Sequence, residues 1–143
     1  MSVIVEGISR HQLVPIRFMQ DAVAASQTDV QLPIAEVNAG AGNAVDGVSM
    51  PFDGEVVGIS YDLSAAATAG SLTVGATVNG TEDTDSTQTI TTATKGYAQI
   101  ERGKVPFSKG DQIGAEITSS GTWDGTTADL LVTLWCLVKL DGI

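Results

Sequence analysis

The chain has little that would crosslink a fold or attract a polyanion. Its one cysteine, Cys136, leaves no partner for an intramolecular disulfide. Lys and Arg number 7 against 17 Asp and Glu, which gives a formal net charge of −10. Nucleic-acid binding draws most of its affinity from clustered basic side chains, so this balance argues against a DNA- or RNA-binding role.

Long apolar segments are also missing. The longest near-apolar run, residues 130–138, is far shorter than the ~20 residues that a membrane helix needs. The first ten residues lack the sustained apolar stretch of a secretory signal. We therefore expect a soluble chain that does not contact a membrane.

Residues that could carry catalysis are scarce. His11 is the sole histidine, and Cys136 lies in the most apolar part of the chain, where a thiol is usually a packing residue. No phosphate-binding glycine loop and no dinucleotide fingerprint is present. We expect no enzymatic activity and no cofactor.

One acidic cluster is the best candidate for a metal site. Glu82, Asp83 and Asp85 follow an Asn-Gly turn, and carboxylate oxygens suit calcium. The cluster lacks the spacing and the turn glycine of an EF-hand loop. A solvated, negatively charged loop tip is therefore the favoured interpretation, and calcium binding is the weaker one.

Short β-type runs separated by turn residues fill most of the chain. Apolar and small or polar residues alternate over 55–63, 72–79 and 112–118, which indicates half-buried strands. Shorter candidates are 29–37, 85–92 and 96–101, and Pro33 predicts an edge or a break in the first of these. A chain of 143 residues fits one domain. The pattern predicts an all-β protein, a single jelly-roll or Greek-key β-sandwich.

The last predicted strand, residues 128–140, is apolar on both sides. One side carries the even-numbered residues from Leu130 to Leu140, and the other carries Leu131, Trp135 and Leu137. In a two-layer sandwich the outward side normally meets water. We interpret this second apolar side as an oligomer interface. The alternative is that a loop or an N-terminal arm of the same chain covers it.

The N-terminal region has less periodicity. Residues 1–28 are interpreted as an arm or a first strand region, with a candidate strand at 13–19, and residues 29–143 as the sandwich. Such a segment often reaches a neighbouring molecule, although a frayed terminus is equally compatible. The side chains assigned to capsid or neighbour contact are Val3, Ile4, Val5, Ile8, Arg10 and Arg17.

Several phrases resemble the jelly-roll domains of tailed-phage structural proteins. They are the stretch 50–60, a small-residue loop that ends Thr68-Ala69-Gly70, the runs 72–74 and 78–81, and the stretch 107–114. Together they cover about half of the chain. The length and the absence of fibre repeats most resemble a capsid decoration, or cement, protein.

This resemblance implies a jelly-roll homotrimer on the outer surface of the virion's capsid, made in the cytoplasm of the bacterial host. Its partners would be copies of itself and the major capsid protein, whose subunits it would bridge. The alternative function is a glycan- or receptor-binding module of a phage fibre or tail. That alternative predicts an exposed loop aromatic, for which Trp123 is the one candidate, between Gly121 and Asp124-Gly125.

Overall fold

The computed structural model describes residues 10–34 and 45–141. They form eleven strands: β1 (His11–Gln20), β2 (Val30–Gln31), β3 (Val48–Ser49), β4 (Gly54–Leu63), β5 (Leu72–Val78), β6 (Thr81–Glu82), β7 (Gln88–Ile90), β8 (Lys95–Gln99), β9 (Pro106–Phe107), β10 (Gln112–Ser119) and β11 (Leu130–Lys139). In this part of the chain, a 3-10 turn at Thr84–Ser86 is the one helical element. The prediction of an all-β protein is confirmed.

The strands form two antiparallel sheets. The first sheet has the order β1-β11-β4-β8, with β9 also paired to β4. The second sheet has the order β2-β10-β5-β6, with β3 paired to β10 and β7 paired to β5. The two sheets enclose the core and make a two-layer sandwich.

The connectivity is that of a jelly roll. Four strands pair antiparallel with four that come later in the chain: β1 with β11, β2 with β10, β4 with β8, and β5 with β7. The resulting ribbon of paired strands folds over so that β11 also pairs with β4, and β10 with β5. An eight-stranded double-sheet arrangement of this kind is the jelly roll.

The core is formed by every second side chain along the strands, on the side that faces the other sheet. On β11 the even-numbered residues Leu130 to Val138 are buried, and on β1 Phe18 and Gln20 are buried on the same side. The largest fully buried side chains come from both sheets and from the connecting segments: Phe18, Leu32, Ile59, Leu72, Ile90, Ile113, Ile117, Leu130 and Leu134. Burial of these apolar side chains is the main favourable contribution to folding.

The strands with strong alternation were predicted closely. Regions 55–63, 72–79 and 112–118 correspond to β4, β5 and β10. In the region 29–37, only Val30–Gln31 is a strand in the described part, and it lies at an edge of the second sheet, as Pro33 predicted. The predicted 13–19 strand is longer, and β1 pairs with β11 over its whole length.

We expect burial, and not residue type, to decide the effect of truncating a leucine. Leu134 is fully buried, whereas Leu13 is 53% exposed on β1. Leu134→Ala should lower the free energy of unfolding by about 2–5 kcal/mol, because it leaves a cavity, and Leu13→Ala by less than about 1 kcal/mol. Urea unfolding of both variants measures the difference. Similar losses in the two variants would contradict this core assignment.

Candidate functional site

The outer side of the first sheet carries a set of apolar side chains that do not enter the core. On β1 and β11, Leu13 lies opposite Leu137, and Pro15 lies opposite Trp135. Tyr97 on β8 and Leu131 farther along β11 share this side by the alternation of their strands. We call the group Leu13, Tyr97, Leu131, Trp135 and Leu137 the first-sheet face.

The backbone of β4 makes room for the Trp135 side chain. Gly58 lies opposite Trp135, and a Cβ added at Gly58 would lie 3.4 Å from the Cβ of Trp135. The indole Nε1 donates a hydrogen bond of 3.3 Å to Ser60 Oγ, so the ring reaches across β4 toward β8. The Trp135 side chain is therefore held in one orientation while part of it stays exposed.

A β-bulge lies directly beside Trp135. The pairing of β11 with β4 shifts by one residue between Trp135 and Cys136, so Val57 has no partner on β11. A bulge bends the strand and re-aims the neighbouring side chains, and bulges are frequent beside functional sites. Here the bulge brings Val57 to the edge of the same apolar surface, where it joins the lining of a depression.

The first-sheet face is accessible to a partner. Tyr97 is 81% exposed, Leu13 53% and Trp135 38%, while Leu131 and Leu137 are half-buried. Tyr97, Leu13, Gly58, Ser60 and Trp135 line a shallow depression of about 550 Å³. Contiguous exposed apolar side chains with polar surroundings are typical of an interaction surface.

The structure brings together the three predicted interface residues and adds two. Leu131, Trp135 and Leu137 lie on one side of β11, as their odd numbers required. Leu13 and Tyr97 were missed, because each is an isolated apolar residue in its own strand. Only the pairing of β1 and β4 with their neighbours places them beside Trp135. β1 lies next to β11 in the sheet and does not cover its outer side.

The residues assigned to an N-terminal arm fall in two groups. Val3, Ile4, Val5 and Ile8 lie outside the described residues. Arg10 and Arg17 belong to the sheet region: the Arg10 amide donates to Asp141 Oδ1 at 2.8 Å, and Arg17 is an exposed residue of β1 opposite Thr133. Arg17 therefore borders the first-sheet face.

Trp123 is not the exposed loop aromatic that the glycan-binding alternative requires. It is 2% exposed, and its Nε1 donates a hydrogen bond of 3.2 Å to the Val23 carbonyl oxygen. A Cβ added at Gly70, where φ is +81°, would collide with the Trp123 backbone. The expectation of an exposed ring is wrong, because the neighbouring glycines allow the chain to pack closely around the indole.

Two carboxylates of the acidic cluster accept hydrogen bonds from groups of the protein itself. Asp83 Oδ1 accepts from the Asp85 amide at 3.1 Å and caps the 3-10 turn. Glu82 Oε1 accepts from Thr87 Oγ1 at 2.7 Å. Within residues 10–34 and 45–141, no group of three or more His, Cys, Asp or Glu side chains is arranged to hold a metal ion.

Glu82 takes part in a second interaction, with Glu116 on β10. Its side chain lies over Gly75 of β5, where an added Cβ would collide with the carboxylate. Gly75 is paired with Glu116, and the Glu82 side chain forms a hydrogen bond with that of Glu116. Two carboxyl groups therefore meet on the outer side of the second sheet.

The surroundings of Glu116 favour its protonated form. Burial, the hydrogen bond with Glu82 and the negative charges of Glu82 and Asp29 together raise the pKa of Glu116 from 4.5 to about 7. Gln31 Nε2 donates to Glu116 Oε2 at 2.7 Å, which favours the charged form and opposes this shift. The pair is a pH-sensitive contact between β6 and β10.

The structure places the two residues considered for nucleophilic chemistry, Cys136 and His11, in different surroundings. Cys136 is fully buried, and burial raises the pKa of its thiol to about 12, so the reactive thiolate does not form near neutral pH. The His11 Nε2 lies 3.7 Å from Asp141 Oδ2, beside the C-terminal end of β11.

Comparison with known proteins finds a similar solved structure but no similar sequence. No protein-family model matches the chain, and no curated protein sequence matches it. Among solved structures, the chain is similar to a chain of the cyanophage Pam1 capsid asymmetric unit, with 10% sequence identity and a TM-score of 0.42. The match covers 96% of this chain and 92% of that chain. In the residues described, no helix is long and apolar enough to cross a membrane.

Glu116 predicts a pH dependence of stability. Its pKa is raised from 4.5 to about 7 in the folded protein, so the folded state holds this proton more tightly than the unfolded chain. This contribution to stability is complete below pH ~4.5 and is lost as the pH rises through ~7. At pH 8, Glu116→Gln should exceed the wild type in unfolding free energy by about 1–2 kcal/mol, since solvent screening reduces the effect of such a shift.

Urea unfolding between pH 5 and pH 8 measures this difference. The matched control is Glu101→Gln, which changes an exposed carboxylate outside the second sheet. Parallel pH profiles for the wild type and Glu116→Gln would show that the Glu116 proton does not contribute.

Proposed function

We propose that this chain is a non-enzymatic structural protein of a tailed-phage virion. It binds the outer surface of the assembled capsid and stabilises the shell by bridging major capsid protein subunits. The observation that carries the proposal is the first-sheet face, an exposed apolar surface on a chain with a net charge of −10. The phage-like sequence phrases at 50–60 and 107–114 support it, and they lie around β4, β9 and β10.

Binding only to the assembled lattice explains how such a protein stabilises a shell. A ligand that binds the intact shell and not its separated subunits shifts the equilibrium toward the shell by mass action. The protein itself needs no chemistry for this, only surfaces that fit. A jelly roll suits the role because its two packed sheets keep side chains such as Trp135 in fixed positions.

In this proposal the chain acts as a homotrimer. Leu131, Trp135 and Leu137 provide the contact between copies, and the N-terminal segment with Val3, Ile4, Val5 and Ile8 reaches the capsid or an adjacent protomer. Trp135 is the central anchor, because it is large, partly exposed and held by Ser60. Truncation of such an anchor often costs more than about 2 kcal/mol of binding free energy.

The glycan-binding alternative receives less support. Its candidate, Trp123, is buried, and a sugar cannot stack on a ring that the protein encloses. The exposed aromatic residues, Tyr97 and Trp135, lie on the flat side of a sheet together with Leu13, and the loops do not carry them. An apolar sheet side of this kind fits a protein surface better than it fits a sugar.

Binding to shells is the direct test of the proposed function. We expect the purified protein to co-sediment with empty capsid shells of the phage that encodes it, and to leave unassembled capsid subunits in the supernatant. Bound protein should raise the temperature at which the shells dissociate. Equal binding to shells and to free subunits, or no binding to either, would contradict the proposal.

Trp135→Ala should weaken self-association. We expect the wild type to be a trimer and the variant to be mostly monomeric at micromolar concentration, because the variant loses the central anchor of the contact. Light scattering over a dilution series measures the mass. Val45→Ala is the control, since Val45 is 62% exposed but lies before β3 and off the first sheet. A trimeric Trp135→Ala variant with unchanged affinity would exclude this side of β11 as the interface.

A further inference from the structure

An apolar stretch of chain precedes the first sheet. Residues 1–9, which we call the N-terminal segment, contain four β-branched aliphatic residues and a single charged one: Val3, Ile4, Val5, Ile8 and Glu6. Such aliphatic residues favour extended backbone, and their burial against an apolar surface is favourable. The composition of the segment therefore matches the apolar character of the first-sheet face.

The segment joins the sheet at one end of the first-sheet face. The Arg10 carbonyl oxygen accepts a hydrogen bond of 2.6 Å from the Leu140 amide, and the Arg10 amide donates to Asp141 Oδ1 at 2.8 Å. Arg10 thus lies beside the residues that follow β11, beyond Leu137. To lie on the outer side of its own sheet, the segment would have to reverse direction where it meets β1.

The far half of the face lies beyond the reach of the segment of the same chain. Tyr97 is in the same row across the sheet as Arg17, seven residues along β1 from Arg10. With about 3.3 Å per residue along a strand and about 4.8 Å between strands, Tyr97 is roughly 27 Å from Arg10. Val3, the farthest aliphatic residue of the segment, is seven residues from Arg10 and reaches about 25 Å only when the chain is fully extended, without any reversal. Leu131, opposite the end of β1, is farther still.

We infer that the N-terminal segment of one copy packs on the first-sheet face of the next copy. Its aliphatic side chains cover Trp135 and extend to Tyr97, so that the outer side of β11 becomes buried. This inference rests on the self-association in the proposed function. It makes the segment and the face the two halves of one contact between copies.

An exchange of segments is compatible with a closed trimer. The contact is heterologous, because the segment and the face are different parts of the chain, and a heterologous contact generates a ring when its rotation closes. The segment is joined to β1, the edge strand of the same sheet whose outer side receives the neighbour's segment. Neighbouring copies can therefore lie side by side around one axis, and the two outer sides of the sandwich need not meet.

Disulfide crosslinking between introduced cysteines tests the inference. Cys136, the one native cysteine, is fully buried and does not compete. In the variant Val5→Cys with Tyr97→Cys, mild oxidation should join chains into covalent dimers and trimers on a non-reducing gel. The control, Val5→Cys with Thr89→Cys, places the second cysteine at an exposed position of β7 in the second sheet. That control and each single variant should stay largely uncrosslinked.

The products of oxidation, together with the mass from light scattering, distinguish the outcomes. A disulfide within one chain would show that the segment covers its own face and would overturn the exchange. If the Val5 and Tyr97 pair crosslinks no faster than the control although the protein is a trimer, the segment is excluded from the face, while self-association through another surface stands. If the wild type is monomeric at all concentrations, the exchange and the proposed self-association both fail, and binding to capsid shells is decided separately by co-sedimentation.

A second pair of variants tests the contact without introduced cysteines. Val3→Ser with Val5→Ser keeps the length of the segment and removes two apolar side chains. It should raise the dissociation constant of the trimer roughly tenfold or more, because less apolar surface is buried between copies. Ser2→Ala with Ser9→Ala is the matched control and should leave the affinity unchanged. Urea unfolding checks the fold of each variant, and an unchanged affinity of the Val3 and Val5 variant would overturn the role of the segment.

Discussion

A two-layer sandwich can bury only one side of each sheet, and β11 carries apolar residues on both. Its even-numbered side chains, including Leu134 and Cys136, are enclosed between the sheets, where they are fully buried. Its odd-numbered side chains, Trp135 among them, have no third layer to enter. This surplus of apolar side chains on β11 sets the properties of the outer side of the first sheet, and exposed apolar side chains of this kind are typical of an interaction surface.

The outer side of the second sheet differs from that of the first in the residues that its strands place there. Its outer side is built from small and polar residues, such as Gly75, Thr77 and Glu116. The absence of a side chain at Gly75 lets the Glu82 carboxyl group reach Glu116 across β5. The strands of this sheet contain no Lys or Arg, and Glu82 and Glu116 are their only charged residues. The outer side of the first sheet therefore carries large apolar side chains, and that of the second sheet carries small and polar ones.

Much of the fold could be predicted from sequence, because the alternation of apolar and polar residues that marks a strand can be seen within that strand alone. The strands β4, β5 and β10 each show a period of two within a few residues, and so does the two-sided pattern of β11. The two-residue strands β3, β6 and β9 are too short to show a period, and they are defined only by their partners.

The residues of the candidate site could be predicted from sequence only where they lie on the same strand. Leu131, Trp135 and Leu137 are spaced along β11, so their shared side followed from their numbers. Tyr97 joins them through two strand pairings, and Glu82 meets Glu116 from another strand, which depends on the topology of the jelly roll. For Trp123, the surrounding glycines predicted an exposed turn, yet the same residues let the backbone close over the ring.

The central claim is that the first-sheet face is covered by protein in the assembled state. Hydroxyl-radical footprinting with mass spectrometry tests it most directly, because it measures how accessible Tyr97 and Trp135 are in the free protein, in the proposed trimer and after incubation with capsid shells. Trp123, which is buried in the free protein, serves as the internal reference. We expect Tyr97 and Trp135 to be oxidised in the free protein and protected after assembly. Oxidation of both at the same rate in the assembled particle would contradict it.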